Sequence, residues 1–365
     1  MNWRYRGTVG RMWTIAALFR RHGRYGMAVL WLTMGPVLYL TTRLLLRLDY
    51  LFFPQLRRIR PDRPVFIVGH PRSGTTFLQK QVFGSHTAGM FTTWELFFPS
   101  LLQRRILAPF VWLANSFNID VVQSSEYGHQ VRIGGVEEDE GLFMHRLDTE
   151  ILTFTCPWLL TDPDVSELGF RLGFISRKEQ LASVRLYREI LKRQMVATGR
   201  RRMVLKCNPS VFRLREIFEV FPDARVVYVV RSPLHTVQSY LAFASRFVDP
   251  LLSREEAQRY YRRKFEWSVA LYRRFEELRA LVPDGRLMIM PFEELSQSPS
   301  QALERFFAFA ALEPTSHFWR EFRRRRQWRH RKKHVNPPLL DFGVSEEEIR
   351  RELAFVWDQY LSPTS

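Results

Sequence analysis

Cysteine is nearly absent: the 365 residues hold two, Cys156 and Cys207. Their number and spacing exclude a disulfide framework and a zinc-ligand pattern, so both are expected as small buried hydrophobes. None of the five asparagines begins an Asn-x-Ser/Thr sequon, which disfavours a glycosylated secretory-pathway protein. Acidic residues are scarce in two segments. Residues 1–60 hold eleven Arg, no Lys and one acid, Asp49; residues 315–335 hold nine Lys or Arg and one acid, Glu321. These two segments account for the whole net charge of +18, and the middle of the chain is balanced. That distribution argues against nucleic acid as a partner, despite a pI near 10.4.

What is present is apolar. Hydrophobic residues make up 46% of the chain, with 30 Phe and 10 Trp, enough for a sizeable core and some aromatic surface besides. Met12–Phe19 is a short apolar run with no small-residue cleavage site after it, unlike a removable signal peptide. Tyr25–Thr42 is an uncharged stretch of eighteen residues, only just long enough to span a bilayer, which Gly35-Pro36 is expected to interrupt. Arginine flanks it on both sides and gives no orientation. Three readings stand: a helix in the membrane interface, a transmembrane helix, or two helices packed on a catalytic domain. The boundaries expected are a basic, membrane-associated helical extension over 1–60, a catalytic domain over 61–345 and a C-terminal helix over 346–365.

The central segment alternates strands and helices. Pro64–Gly69, Met203–Lys206, Arg225–Val230 and Arg286–Met290 read as buried strands. Helices are expected over Thr75–Val82, Leu96–Phe117 (with a break at Pro109), Lys178–Thr198, Phe212–Phe221, from Pro233 through Tyr240, Glu255–Leu281 and Gln301–Ala311. The order implies an α/β fold with a parallel sheet flanked by helices on both faces. Ligands then bind where the loops after Val68, Lys206 and Val230 converge.

The first of these loops, Gly69-His-Pro-Arg-Ser-Gly-Thr75, follows a strand and opens a helix. Backbone N–H groups there suit an anion, with Gly74 allowing close approach, Ser73, Thr75 and Thr76 adding hydroxyls and Arg72 a positive fork. Two absences narrow the reading. Thr75 stands where a nucleotide triphosphatase loop needs lysine, and the strand Val226–Val230 ends in Arg231 rather than a metal-holding aspartate. The loop therefore reads as a site for phosphate, metal-free and not for a triphosphate. Arg231 and Ser239, eight residues apart, offer a second anion site one strand–helix unit later.

Taken together, Pro71-Arg-Ser-Gly-Thr-Thr76, Leu205-Lys-Cys-Asn-Pro209, Phe221-Pro-Asp-Ala-Arg225, the Arg231…Ser239 pair and Pro291-Phe-Glu-Glu-Leu295 resemble the sulfotransferase family that uses 3′-phosphoadenosine 5′-phosphosulfate (PAPS). The resemblance covers residues 62–345. It implies a P-loop-like sulfotransferase fold, with PAPS as cosubstrate and no metal. Arg72, Ser73, Gly74, Thr75 and Thr76 would bind the 5′-phosphosulfate, and Arg231 and Ser239 the 3′-phosphate. Arginine at position 72 is nearer the tyrosylprotein and bacterial branches, since cytosolic-type members usually carry lysine there. Arg331, Lys332 and Lys333 would close the 3′-phosphate site, although the glycines of that family loop are absent.

Sulfuryl transfer needs a base for the acceptor hydroxyl and cations for the leaving phosphate. Arg72 and Lys206 supply the cations. The cytosolic type has a histidine two residues after the lysine matching Lys206, and here Asn208 stands there. Other branches use a glutamate after the first loop's helix, which points to Glu95 as base. Glu137-Glu-Asp-Glu140 is the rival cluster, read as a solvated face; His70, His129 and His145 read as structural. The apolar Leu96–Phe117 segment and the N-terminal arm suggest a lipid or amphiphilic hydroxyl acceptor, an anionic membrane surface as partner and a cytoplasmic, membrane-associated location. A P-loop kinase or NTPase, or a non-catalytic membrane-bound nucleotide-binding protein, are the alternatives.

Overall fold

A computed structural model describes residues 7–117, 120–122, 131–166, 176–326 and 335–361. The sequence alternation of Val65-Phe-Ile-Val-Gly69 organises the centre. This strand, β1 (Val65–Gly69), is buried throughout because both its faces are covered. Two short strands, β2 (Asp120–Val122) and β3 (Val131–Arg132), form a separate antiparallel ribbon. β4 (Val204–Lys206), β5 (Arg225–Val230) and β6 (Leu287–Pro291) join β1 in a parallel sheet of order β4-β1-β5-β6. Val65 pairs with Val204 and Arg225, and Tyr228 with Val68 and Ile289.

Because side chains alternate along a strand, the sheet divides the interior into two cores. Phe66, Val68, Leu205, Val226, Tyr228 and Val230 face the larger one, while Val65, Ile67, Val204, Val227, Val229 and Met290 face the smaller. The helices Arg177–Thr198 and Arg254–Arg279 supply the larger core, and Pro299–Ala310 the smaller. Helix ends follow local chemistry. Ser253 and Glu256 form a capping box at the start of Arg254–Arg279, and Gly199, at φ 64°, ends Arg177–Thr198.

The N-terminal segment is two helices, α1 (Thr8–Arg21) and α2 (Tyr25–Phe52). α1 places Met12, Ile15, Leu18 and Phe19 in the larger core, and the C-terminal helix Glu346–Val356 adds Ile349, Leu353 and Val356 to the same core. α2 runs through Gly35-Pro36, where an interruption was expected. Proline removes only one backbone hydrogen bond, and flanking turns on both sides carry the helix past it. α3 is Thr75–Ser85. The expected Leu96–Phe117 helix is two elements, α4 (Thr93–Phe97) and α5 (Leu101–Ser116), because Ser100 caps α5 by accepting from Gln103 N; α5 then runs unbroken past Pro109. Phe212–Phe221 begins instead as a 3₁₀ turn, Asn208–Arg213, before the helix Leu214–Val220, and the helix from Pro233 extends to Val248.

Asp49, the lone acid of residues 1–60, is fully buried. It accepts from Arg193 Nε (2.7 Å), Ser100 Oγ (2.9 Å), and the backbone N–H groups of Leu101 (3.1 Å) and Leu102 (3.0 Å). One carboxylate thus fastens α2 to the start of α5 and to Arg177–Thr198.

Candidate active site

The carboxyl ends of β1, β4, β5 and β6 open onto one cavity of about 710 Å³. Gly69 sits at φ 151°, and a Cβ there would lie 2.3 Å from Val229 O, so β1 and β5 can run this close only with glycine. Beyond it Arg72 adopts φ 73°, in the left-handed region, and Gly74 φ 102° at the N-cap of α3. A Cβ on Gly74 would lie 2.4 Å from the Phe292 ring. Such a turn aims the first N–H groups of α3 into the cavity.

The anion loops meet here. Arg72 Nε donates to Ser239 Oγ at 3.1 Å, and Arg231 Nη1 to Arg72 O at 3.4 Å. Arg231 lies over the Phe292 ring at 4.2 Å, so the ring that presses on Gly74 also holds this guanidinium. Burial pulls Arg72 below its ordinary pKa, and the neighbouring Arg246 and Arg231 pull it further. Like charges gathered this closely favour a polyanion between them. Ser73 Oγ is fully buried beside Gly69, has no hydrogen-bond partner among the described residues, and does not line the cavity. Sequence reasoning missed Arg246 and Phe292. Arg246 stands seven residues after Ser239 on one helix, a spacing that would have found it.

Lys206 Nζ, from the end of β4, donates to Thr76 Oγ1 (3.1 Å) and pairs with Glu138 (3.0 Å). Glu138 Oε1 also accepts from Asn208 N at 2.8 Å, and its Oε2 from Asn208 Nδ2 at 3.3 Å. Asn208, where another branch carries histidine, is thus a clamp on a carboxylate.

Glu95 is placed elsewhere. Thr93 and Phe97, one helical turn apart on α4, reach the cavity with Leu96, whereas Glu95 does not. Its carboxylate closes the capping box, accepting from Thr92 N (2.8 Å), Thr92 Oγ1 (2.7 Å) and Gln194 Nε2 (3.0 Å). The segment read as a solvated face is the one that lines the cavity: Glu137, Glu138 and Glu140 all reach it. Burial raises Glu140 to about 7, although Arg213 opposes this, and its Oε2 accepts from Cys207 Sγ. Both cysteines are buried. His70 is buried against Tyr272, its Nδ1 against Pro71 O at 2.6 Å, and burial drops it to about 4. His145 Nε2 meets Leu96 O at 2.9 Å. His129, Arg331, Lys332 and Lys333 lie outside the described residues.

Leu96, Phe97, Ile151, Phe154, Phe243 and Phe247 give the cavity an apolar lining, and the Arg72 guanidinium lies over the Phe243 ring at 5.5 Å. Phe154 packs edge-on against Phe243 (5.7 Å) and Phe247 (5.9 Å). From the expected apolar segment Leu96–Phe117, only Leu96 and Phe97 line the cavity.

A parallel sheet whose carboxyl end carries an arginine-rich turn at a helix N-terminus, opening onto one cavity, is an arrangement suited to an anionic ligand. Residues 64–316 match the Sulfotransferase family, and the chain belongs to it. The chain is 28% identical over 258 residues to the omega-hydroxy-beta-dihydromenaquinone-9 sulfotransferase Stf3 of Mycobacterium bovis, and equally to that of Mycobacterium tuberculosis. The match covers 69% of this chain and spans 63% of the length of these curated relatives. Among solved structures, sulfotransferase STF9 from Mycobacterium avium superposes with a TM-score of 0.71 at 16% identity, covering 99% of this chain and 98% of the other. Sulfotransferase STF1 from Mycobacterium tuberculosis gives 0.68 at 18% identity, covering 87% and 83%. Both share the fold.

Proposed function

We propose that this sulfotransferase moves a sulfuryl group from PAPS to a hydroxyl of a hydrophobic or amphiphilic acceptor. One observation carries the reading: a single cavity joins the Arg72/Ser239/Arg231 anion cluster, the Lys206–Glu138 pair and the phenylalanine wall. The side-chain-free approach at Gly74 and the clustered arginines suit a donor with phosphates at two positions.

PAPS supplies the sulfuryl group. The loop Arg72–Thr76 holds the phosphosulfate, and Arg231 and Ser239 hold the 3′-phosphate. Glu138 takes the acceptor's hydroxyl proton, in the role that sequence pattern alone gives to Glu95. Lys206 sits between that carboxylate and Thr76, so it meets charge developing on the leaving phosphate oxygen. Asn208 keeps the carboxylate in place. Phe154, Phe243 and Phe247 exclude water and hold the apolar part of the acceptor.

The match to an enzyme named for a hydroxylated menaquinone supports an isoprenoid-like or other lipid acceptor. Such a substrate accords with a cytoplasmic enzyme held at a membrane. The test is incubation with labelled PAPS and a total lipid extract, followed by mass analysis of labelled products. A sulfated lipid is expected. No labelled product together with no binding of adenosine 3′,5′-bisphosphate overturns the reading.

A further inference from the structure

Residues 106–117 hold no charge. Ile106, Phe110, Leu113 and Phe117 recur at helical spacing along α5 and its C-cap, and they are 49–72% exposed, as is the neighbouring Trp112 at 70%. Only the first turn of α5, through Leu101 and Arg104, is buried in the protein. α2 has the same character. Its buried positions, Ala28, Thr42, Leu46 and Asp49, share one stripe, and Leu30, Val37, Leu44 and Leu51 lie outward at seven-residue spacing. Two apolar faces, about seventy residues apart in the chain, meet where Asp49 caps α5. Neither belongs to the core or to the catalytic cavity, and a patch of this kind marks an interaction surface.

We infer that α2 and α5 together form a docking face for an anionic bilayer, lying in its interface beside the mouth of the catalytic cavity. Charge selects this occupant. Arg47, Arg57, Arg58 and Arg105 are exposed around the junction, and the only acid in residues 1–60 is buried. A second copy docked through a two-fold axis would set these arginines against their equivalents, whereas anionic headgroups neutralise them. The inner stripe fixes the orientation. It ties α2 to the body at Ala28 and from Thr42 to Asp49, with Trp31 and Tyr39 packed on the larger core between them, so carrying α2 across a bilayer would strip it from that core. α2 is long and apolar enough to span, at 28 residues, yet it is held flat. Phe97, 56% exposed, lines the cavity three residues before the Ser100 cap of α5, which places the acceptor entrance at the edge of this face.

The inference is read by vesicle binding alone and does not depend on sulfuryl transfer. The full chain is sedimented with vesicles of phosphatidylcholine containing phosphatidylglycerol, and with phosphatidylcholine alone. Preferential binding to the anionic vesicles is expected. The triple variant Ile106→Ser/Phe110→Ser/Trp112→Ser should lose partitioning by on the order of a hundredfold, with its melting curve retained because those side chains contact solvent. Arg57→Gln/Arg58→Gln should lose about tenfold, and only on anionic vesicles. Vesicle binding unchanged in the triple variant overturns the inference, as does a wild-type dimer that these substitutions dissociate without altering vesicle binding. Resistance of the membrane-bound protein to carbonate extraction overturns it in favour of a spanning α2.

Discussion

Replacing Glu138 by glutamine separates the two candidate bases. The amide keeps an acceptor for Asn208 N, which now approaches Glu138 Oε1 at 2.8 Å, but it can take no proton and leaves Lys206 without its partner at 3.0 Å. Loss of a positioned general base costs about 10²–10⁴ in turnover, or about 3–5 kcal/mol of transition-state stabilisation. The Lys206 side chain is only 3% exposed against 23% for Glu138, so losing the carboxylate charge also lowers folding stability, by about 1–3 kcal/mol, which a melting curve reads separately from turnover. Glu95→Gln should behave in the opposite way. Glutamine serves in a capping box, so the cap survives, and turnover should stay within about threefold of wild type. The assay is single-turnover transfer from labelled PAPS to the acceptor found in lipid extract, with adenosine 3′,5′-bisphosphate titrated into each variant to show that the nucleotide site is intact. Near-normal turnover in Glu138→Gln with collapse in Glu95→Gln would refute the reasoning and return the base to α4.

The remaining predictions concern the loop, the N-terminal fastening and pH. Gly74→Ala forces a Cβ to 2.4 Å from Phe292 at φ 102°, and calorimetry should show adenosine 3′,5′-bisphosphate binding weakened at least about tenfold. Asp49→Ala removes the 2.7 Å partner of buried Arg193, leaves it only the Glu189 carboxylate at 3.8 Å, and uncaps α5, so denaturant unfolding should show a loss of about 3–5 kcal/mol. His70 and Glu140 tilt stability in opposite directions with pH. His70, depressed to about 4 from 6.5, contributes stability that is present above pH 6.5 and is lost as pH falls towards 4. Glu140, raised to about 7 from 4.5, contributes stability that is present below pH 4.5 and is lost as pH rises to 7. Relative to wild type, His70→Gln should make the melting temperature fall more steeply between pH 4.5 and 6.5, and Glu140→Gln should make it rise. Parallel pH profiles for all three proteins would contradict this.

β1 and β5 were legible because they are buried on both faces: Val65–Val68 and Val226–Val230 read as continuous apolar runs. The phosphate loop was legible for a local reason, since an anion needs N–H groups and small residues in consecutive positions. The absence of lysine at Thr75 and of an acid at Arg231 already turned that loop away from triphosphates. Other features lay outside the reach of any window on the chain. The short α4 hides Glu95 in its own cap because residues 93 and 97 share a face that residue 95 does not. Glu138 looks like part of a solvated charge run until β4 brings Lys206 and Asn208 to it from about seventy residues away. The outward face of α5 resembles core in composition, and only packing shows that none of the described residues covers it. The sequence by itself determined which backbone segments form the sheet and where the glycine-containing turn opens α3, because both depend on neighbours in the chain. The tertiary structure alone decided which carboxylate lines the cavity and which apolar helix faces outward, because each depends on what the fold sets opposite it.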